Sequence, residues 1–305
     1  MIKKYLYRIV PPLLFLFFIV LVMNGFSLES IVREFYHPQI IESKIDSDFL
    51  RKVQKVNIYL PPKYNKDHKY PVLYLLHGKD SNEQSWFNGF LGINAAKIDQ
   101  TADRLIKEQK INPLIIVSPM IDNSYGINTS TITKKIDDHD EGLYKDYIIK
   151  ELIPYIDSEY CTIQDKSGRF IGGISMGGFA ALHLAFVHND HFSKVGGHSA
   201  AIRTDEKAGS GINWLFSNGN SREQIDPLYL SESLEKEDIS VYLDHGTMDH
   251  DWLVEGNKAL YMKLKERQID VQYVTNLGGH DYKYWSSNTE RYLLFYAGKR
   301  SDNAK

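Results

Sequence analysis

Between an apolar run at Arg169–Ile171 and a helix-forming run at Phe179–Val187 the chain reads Gly172-Gly173-Ile174-Ser175-Met176-Gly177-Gly178. A strand that turns into a helix over so few residues forces the residue at the corner into a strained backbone conformation. Side chains beside it would collide with neighbouring elements, so glycine is required there. Gly173 and Gly177 fill those positions. The helix that follows aims its free N–H groups at any negative charge formed next to Ser175. The bare pattern G-x-S-x-G is common by chance. The strand before it and the helix after it are what make it a nucleophile elbow.

The rest of the chain fits such a turn. Lys52–Leu60 (KVQKVNIYL) alternates apolar and polar residues and stops at Pro61-Pro62, which predicts a half-exposed edge strand. Tyr70–Leu76, Leu114–Val117 and Arg169–Ile171 are continuous apolar runs, as expected for strands covered on both faces. Helical spacing of apolar residues marks Ala95–Lys110 and Leu143–Tyr160. The last third repeats the alternation: strand Ser240–Leu243, helix Gly256–Arg267, strand Val271–Val274, helix Asn288–Ala297. Alternating strands and helices predict an α/β fold, a mostly parallel central sheet with helices on both faces. Ile202–Tyr229, rich in Gly, Ser, Asn and Asp, does not fit the pattern; it reads as either a lid or a solvated insertion with a few apolar anchors.

The 305 residues are 43% hydrophobic and 25% charged. Single α/β domains routinely reach roughly 200–250 residues, so residues 29–305 are expected to form one catalytic domain. Before it, Lys3, Lys4 and Arg8 precede the apolar run Ile9–Met23. That run is shorter than the roughly 20 residues of a full span. Residues 1–28 therefore read as a signal peptide or, if the run continues to Leu28, a retained membrane anchor, with the domain outside the cytoplasm in both cases. The net charge of −3 comes from mixed signs with no basic stripe, which argues against nucleic acid as a partner. Cys161 is the only cysteine, which excludes an internal disulfide, a multi-cysteine zinc site and an iron–sulfur cluster.

A serine hydroxyl is a weak nucleophile until a base takes its proton, and in folds with this elbow the chain order is serine, acid, histidine. His280, in Leu277-Gly278-Gly279-His280-Asp281, follows the last predicted strand. That places it at the carboxyl edge of the sheet, where open α/β sheets bind ligands. The acid belongs after Ser240–Leu243, where Asp244, Asp249 and Asp251 compete. Asp249, beyond the Gly246 turn, has room to reach an imidazole; Asp244 reads as structural, and either of the later two could instead cap the helix near Trp252. The oxyanion of a tetrahedral intermediate needs two donors, expected from the backbone N–H of Met176 and, after His77-Gly78, that of Lys79. No cofactor or metal is called for. Asp137-Asp138-His139-Asp140-Glu141 reads as a solvated acidic turn rather than a cation site, and the 20 tyrosines as half-buried sheet positions rather than a ligand groove.

These residues resemble the esterase family of the α/β-hydrolase superfamily that includes esterase D, S-formylglutathione hydrolases, feruloyl esterases, enterochelin esterases and mycolyltransferases. The likeness rests on Tyr74-Leu75-Leu76-His77-Gly78 with Trp86, Glu151-Leu152-Ile153-Pro154-Tyr155-Ile156 before Tyr160, the elbow at Ser175, Gly246-Thr247-Met248-Asp249, and Gly279-His280-Asp281 with Trp285. It implies the α/β-hydrolase fold and a carboxylester or thioester substrate, free or linked to a polysaccharide. It also implies Asp249 as the acid and Lys79 and Met176 as oxyanion donors. Two alternatives stand beside hydrolysis: acyl transfer to a sugar or lipid alcohol by the same residues, and a surface binding domain that keeps the fold without catalysis.

Overall fold

The computed structural model describes residues 40–88, 95–204, 213–216, 219–236 and 239–299; the expected signal or anchor at 1–28 lies outside them. No helix among the described residues is long and apolar enough to cross a membrane.

The strands are β1 (Ile40–Ser47), β2 (Lys52–Tyr59), β3 (Val72–Leu76), β4 (Ile115–Pro119), β5 (Lys134–Ile136), β6 (His139–Glu141), β7 (Arg169–Ile174), β8 (Lys194–His198), β9 (Ser240–Gly246) and β10 (Val271–Asn276). Eight form one sheet in the order β1-β2-β4-β3-β7-β8-β9-β10, and β5 with β6 makes a separate hairpin. β2 runs antiparallel to β4, whereas every pairing from β4 to β10 is parallel. The expected mixed α/β architecture is therefore present.

Two glycine pairs reveal how helices cover both faces. Gly172 and Gly196 sit opposite each other on β7 and β8. A Cβ on either would lie 2.0 Å from the hydroxyl of Tyr296, which belongs to the last helix, α5 (Tyr282–Ala297). Their neighbours Gly173 and Gly197 face the other way, against α3 (Met176–Val187). Successive strand residues point to opposite faces, so these small residues let a helix settle closely on each side. The elements α1 (Ile98–Lys107), α2 (the continuous turns Tyr144–Asp146, Tyr147–Leu152 and Ile153–Glu159) and α4 (Asp251–Glu266) complete the set of longer helices. Within α2, Tyr147–Leu152 is a π-turn in which the Ile153 N–H reaches back to the Ile148 carbonyl. Pro154 explains it: a helical proline lacks an N–H and crowds the carbonyl one turn back, and a widened turn relieves both.

Several expectations change in detail. β2 is not an edge strand, because β1 covers it; β1's mixed sequence (IIESKIDS) hides a strand whose burial comes almost wholly from its end at Ile45 and Ser47. β8 (KVGGH) also went unforeseen, since two glycines erase the β-branched signature. α4 and α5 begin earlier than the apolar spacing predicts, α5 because the Asp281 side chain caps the Tyr284 N–H.

His183 on α3 offers a stability test. It is buried, its Nδ1–H is donated to the Ile225 carbonyl at 2.9 Å, and its Nε2 has no hydrogen-bond partner. Burial pushes its imidazole down to about 4. An unfolded histidine takes up a proton below roughly 6.5, so stability is complete above that pH and declines as pH falls towards the folded value. The loss between pH 7 and pH 4.5 is expected to shrink by about 2–3 kcal/mol in His183→Gln, read from urea midpoints. An unchanged loss would rule out His183 as its source.

Candidate active site

Ser175 stands between β7 and α3 with φ 54° and ψ −116°, a conformation that L-residues rarely adopt. Its N–H is tied to the His198 carbonyl at 2.9 Å, and its own carbonyl accepts from Phe179 at 3.1 Å and Ala201 at 2.9 Å. A Cβ on Gly177 would sit 2.3 Å from the Leu76 carbonyl oxygen, and one on Gly173 would sit 2.2 Å from that of Gly177. The surrounding structure thus over-determines the strained corner, which is the condition for such strain to persist.

His280 lies on the loop between β10 and α5. Its Nε2 is 2.8 Å from the Ser175 hydroxyl, and its Nδ1 is 2.9 Å from Asp249 Oδ1. Asp249 follows β9, and its side chain is wholly buried. The two loops are pinned together: Met248 N–H donates to the Gly278 carbonyl at 2.8 Å, and Thr247 N–H to the Asn276 carbonyl at 2.9 Å. Gly246 permits this closure, since a Cβ there would lie 2.1 Å from the Gly278 oxygen. Trp285 packs edge-on against the His280 ring at 5.1 Å.

Electrostatics suit the arrangement. Burial by itself would raise the Asp249 carboxyl, but hydrogen bonds and charge from His280, the nearby Ser199 hydroxyl and the His250 N–H outweigh it and hold the group below its ordinary value. An ionised Asp249 accepts from His280 Nδ1–H, and in the neutral imidazole with that tautomer Nε2 is the acceptor facing the serine. A hydroxyl hydrogen-bonded to such a nitrogen can lose its proton as it attacks.

The competing carboxylates, Asp244 and Asp251, are elsewhere. Asp244 is buried at the end of β9 and bonds His198 Nδ1 at 2.7 Å. Asp251 is the exposed first residue of α4, where its charge faces the helix N-terminus. His245 contacts the Tyr273 hydroxyl at 2.6 Å, away from Ser175. Of the acidic stretch, residues 137 and 138 form the turn of the β5–β6 hairpin; Asp138 pairs with the Lys79 side chain, while Glu141 is buried and pairs with Lys134 at 3.2 Å. The Lys79 side chain is thus engaged, where the sequence assigns it nothing.

The loop after β3 holds what sequence reading missed. His77 is fully buried; its Nε2 accepts the Ile121 N–H at 3.1 Å, so its Nδ1 carries the proton donated to the Gly78 carbonyl at 2.8 Å. In a trans peptide the C=O and the next N–H point in opposite directions. Fixing the Gly78 carbonyl on His77 therefore fixes the direction of the Lys79 N–H. Asn123 clamps Asp80, the residue after Lys79, with Asp80 N–H donating to Asn123 Oδ1 at 2.8 Å and Asn123 Nδ2 to Asp80 Oδ1 at 2.8 Å. No periodicity or motif could have exposed Asn123, which is distant in the chain. Gly78, Lys79, Ser81, Ser175, His280 and Trp285 line a cavity of about 450 Å³. From the Ile202–Tyr229 segment, Leu215, Ile225 and Leu228 are buried in the core and Trp214 stacks on His139 at 4.0 Å.

A family model described as "Putative esterase" matches residues 47–295. The chain belongs to this esterase family. It is an ester-hydrolysing enzyme with the α/β-hydrolase fold, as the resemblance implied. An acetyl esterase of Caldicellulosiruptor saccharolyticus is 26% identical over 81% of this chain and 94% of its own length. An endo-1,4-beta-xylanase/feruloyl esterase of Xylanibacter ruminicola is 33% identical over 51% of this chain, which spans only 22% of that longer protein. Among solved structures, a ferulic acid esterase superposes with TM-score 0.69 at 24% identity, covering 84% of this chain and 96% of its own. An S-formylglutathione hydrolase from Staphylococcus aureus does so with TM-score 0.65 at 22% identity, covering 86% and 99%. At these identities the structural likeness establishes the shared fold.

Proposed function

We propose that this chain is a serine carboxylesterase that works through Ser175, His280 and Asp249. The observation that carries the reading is the unbroken run of hydrogen bonds from the Ser175 hydroxyl through His280 to the buried Asp249, at 2.8 Å and 2.9 Å. Ser175 Oγ attacks the ester carbonyl while His280 Nε2 takes its proton. The carbonyl oxygen becomes an oxyanion held by the Lys79 and Met176 N–H groups. Collapse breaks the ester C–O bond, and the departing alcohol takes the proton from His280. Water then attacks the acyl-serine, gives a proton to His280, and the acid leaves as Ser175 is restored. Side chains, backbone amides and water supply every step.

The names of the relatives make acetyl and feruloyl esters the first substrates to test. The basic residues before Ile9–Met23 support action outside the cytoplasm. Reaction with a fluorophosphonate should place one adduct on Ser175 by peptide mass, together with turnover of at least one ester in an acetyl-to-feruloyl series. Folded protein that does neither would refute the reading.

The oxyanion assignment has its own test in His77→Phe, which keeps a ring in the pocket but releases the Gly78 carbonyl. Losing one oriented oxyanion donor costs about 10²-fold or more in kcat, so a fall of that order is expected, with KM changed less than about threefold. A kcat within a factor of about two of wild type would remove Lys79 from the oxyanion site.

A further inference from the structure

Beneath the catalytic residues lies a titratable pair that the reaction does not use. His198 and Asp244 are both wholly buried, with Nδ1 and Oδ1 2.7 Å apart. Asp244 Oδ2 accepts the hydroxyls of Tyr284 at 2.7 Å and Tyr292 at 2.9 Å. The Tyr292 ring stacks on His198 at 3.7 Å, and Tyr296 places its hydroxyl 3.3 Å from His198 Nε2. Burying a carboxylate is expensive, and a set of donors this complete is what allows it.

The connections of this pair are not random. The His198 backbone carbonyl is the acceptor for the strained Ser175 N–H, and the Asp244 carbonyl accepts the N–H of Ser199, the residue beside Asp249. Tyr284 stands in the first turn of α5, directly after the His280 loop. Its ring packs against Gly278, where a Cβ would meet it at 2.7 Å, and its N–H is held by Asp281 at 2.8 Å. Tyr292 shares the same carboxylate oxygen but lies deeper in α5, away from that loop.

We propose that Asp244 is a positioning residue for the catalytic site: through His198 it holds the segment that anchors Ser175, and through the Tyr284 hydroxyl it holds the loop that carries His280. The inference rests on the serine-esterase reading only for its kinetic test. The two tyrosines make a controlled comparison, because Tyr284→Phe and Tyr292→Phe each remove one hydroxyl bond to the same oxygen and keep the ring. A purely structural cluster predicts equal losses of thermal stability and unchanged turnover in both.

Positioning predicts that Tyr284→Phe lowers kcat about tenfold with KM unchanged, whereas Tyr292→Phe stays within about twofold of wild type. A second measurement needs no turnover. The low-field proton resonance of the His280–Asp249 hydrogen bond should persist in Tyr292→Phe and broaden or vanish in Tyr284→Phe. Equal kcat and equal resonances in the two variants would overturn the proposal. If the wild type neither turns over esters nor reacts with fluorophosphonate, the esterase reading falls, and the resonance comparison still decides whether Asp244 sets the His280 loop.

Discussion

Ser175→Ala is expected to lower ester turnover by about 10⁴- to 10⁶-fold, the scale on which loss of the nucleophile disables a serine hydrolase. In the proposed mechanism the substitution removes the one atom that forms the acyl bond. It keeps the Cβ, so the backbone at φ 54° stays as strained as before. The bonds from Ser175 N–H to His198 and from Phe179 and Ala201 to the Ser175 carbonyl involve the backbone alone, so the elbow should survive. Thermal midpoint and circular dichroism should therefore match wild type while fluorophosphonate labelling disappears. Residual hydrolysis above the uncatalysed rate is expected, because the proposed oxyanion donors and the cavity remain. A variant that keeps more than about a tenth of wild-type turnover would show that another group performs the attack.

Asp249→Asn should be nearly as severe, about 10⁴-fold in kcat, through a different cause. Asp249 Oδ1 accepts from both His280 Nδ1 and the His250 N–H, the latter at 2.9 Å. If the asparagine turns its amide nitrogen towards His280, Nδ1 must accept and the ring proton moves to Nε2, facing Ser175. The histidine then cannot receive the hydroxyl proton. If the amide oxygen stays in place, the tautomer is kept but the charge that stabilises the imidazolium is gone. Both outcomes slow labelling and turnover together while KM changes little, since Asp249 does not line the cavity. A loss below about tenfold would transfer the acid's role to another carboxylate.

The two substitutions also separate the parts of the site by how they were legible. Ser175 was readable because its flanking glycines answer a local steric demand, and local demands leave a local pattern. His280 was readable because a histidine past the last core strand has one edge of the sheet to occupy. Asp249 was only the favoured one of three carboxylates. Its separation from Asp244 and Asp251 depends on Met248 and Gly278 pinning two loops that are distant in sequence. His77 appeared in the sequence merely as part of a motif. Its tautomer, fixed by Ile121 on one side and Gly78 on the other, is a fact of packing.

By itself the sequence determined the alternation of strand and helix, the strained corner at Ser175 and the edge of the sheet where chemistry must gather. Each follows from periodicity or from sterics within a few residues. Only the tertiary structure decided that β1 shields β2, that Asp249 rather than its neighbours meets His280, and that Asp244 sits buried among a histidine and two tyrosine hydroxyls. Those outcomes rest on hydrogen bonds and ring contacts between residues far apart along the chain. Such partners are selected by three-dimensional closeness and the cost of leaving a buried polar group unpaired, and neither leaves a repeat or spacing in the linear sequence.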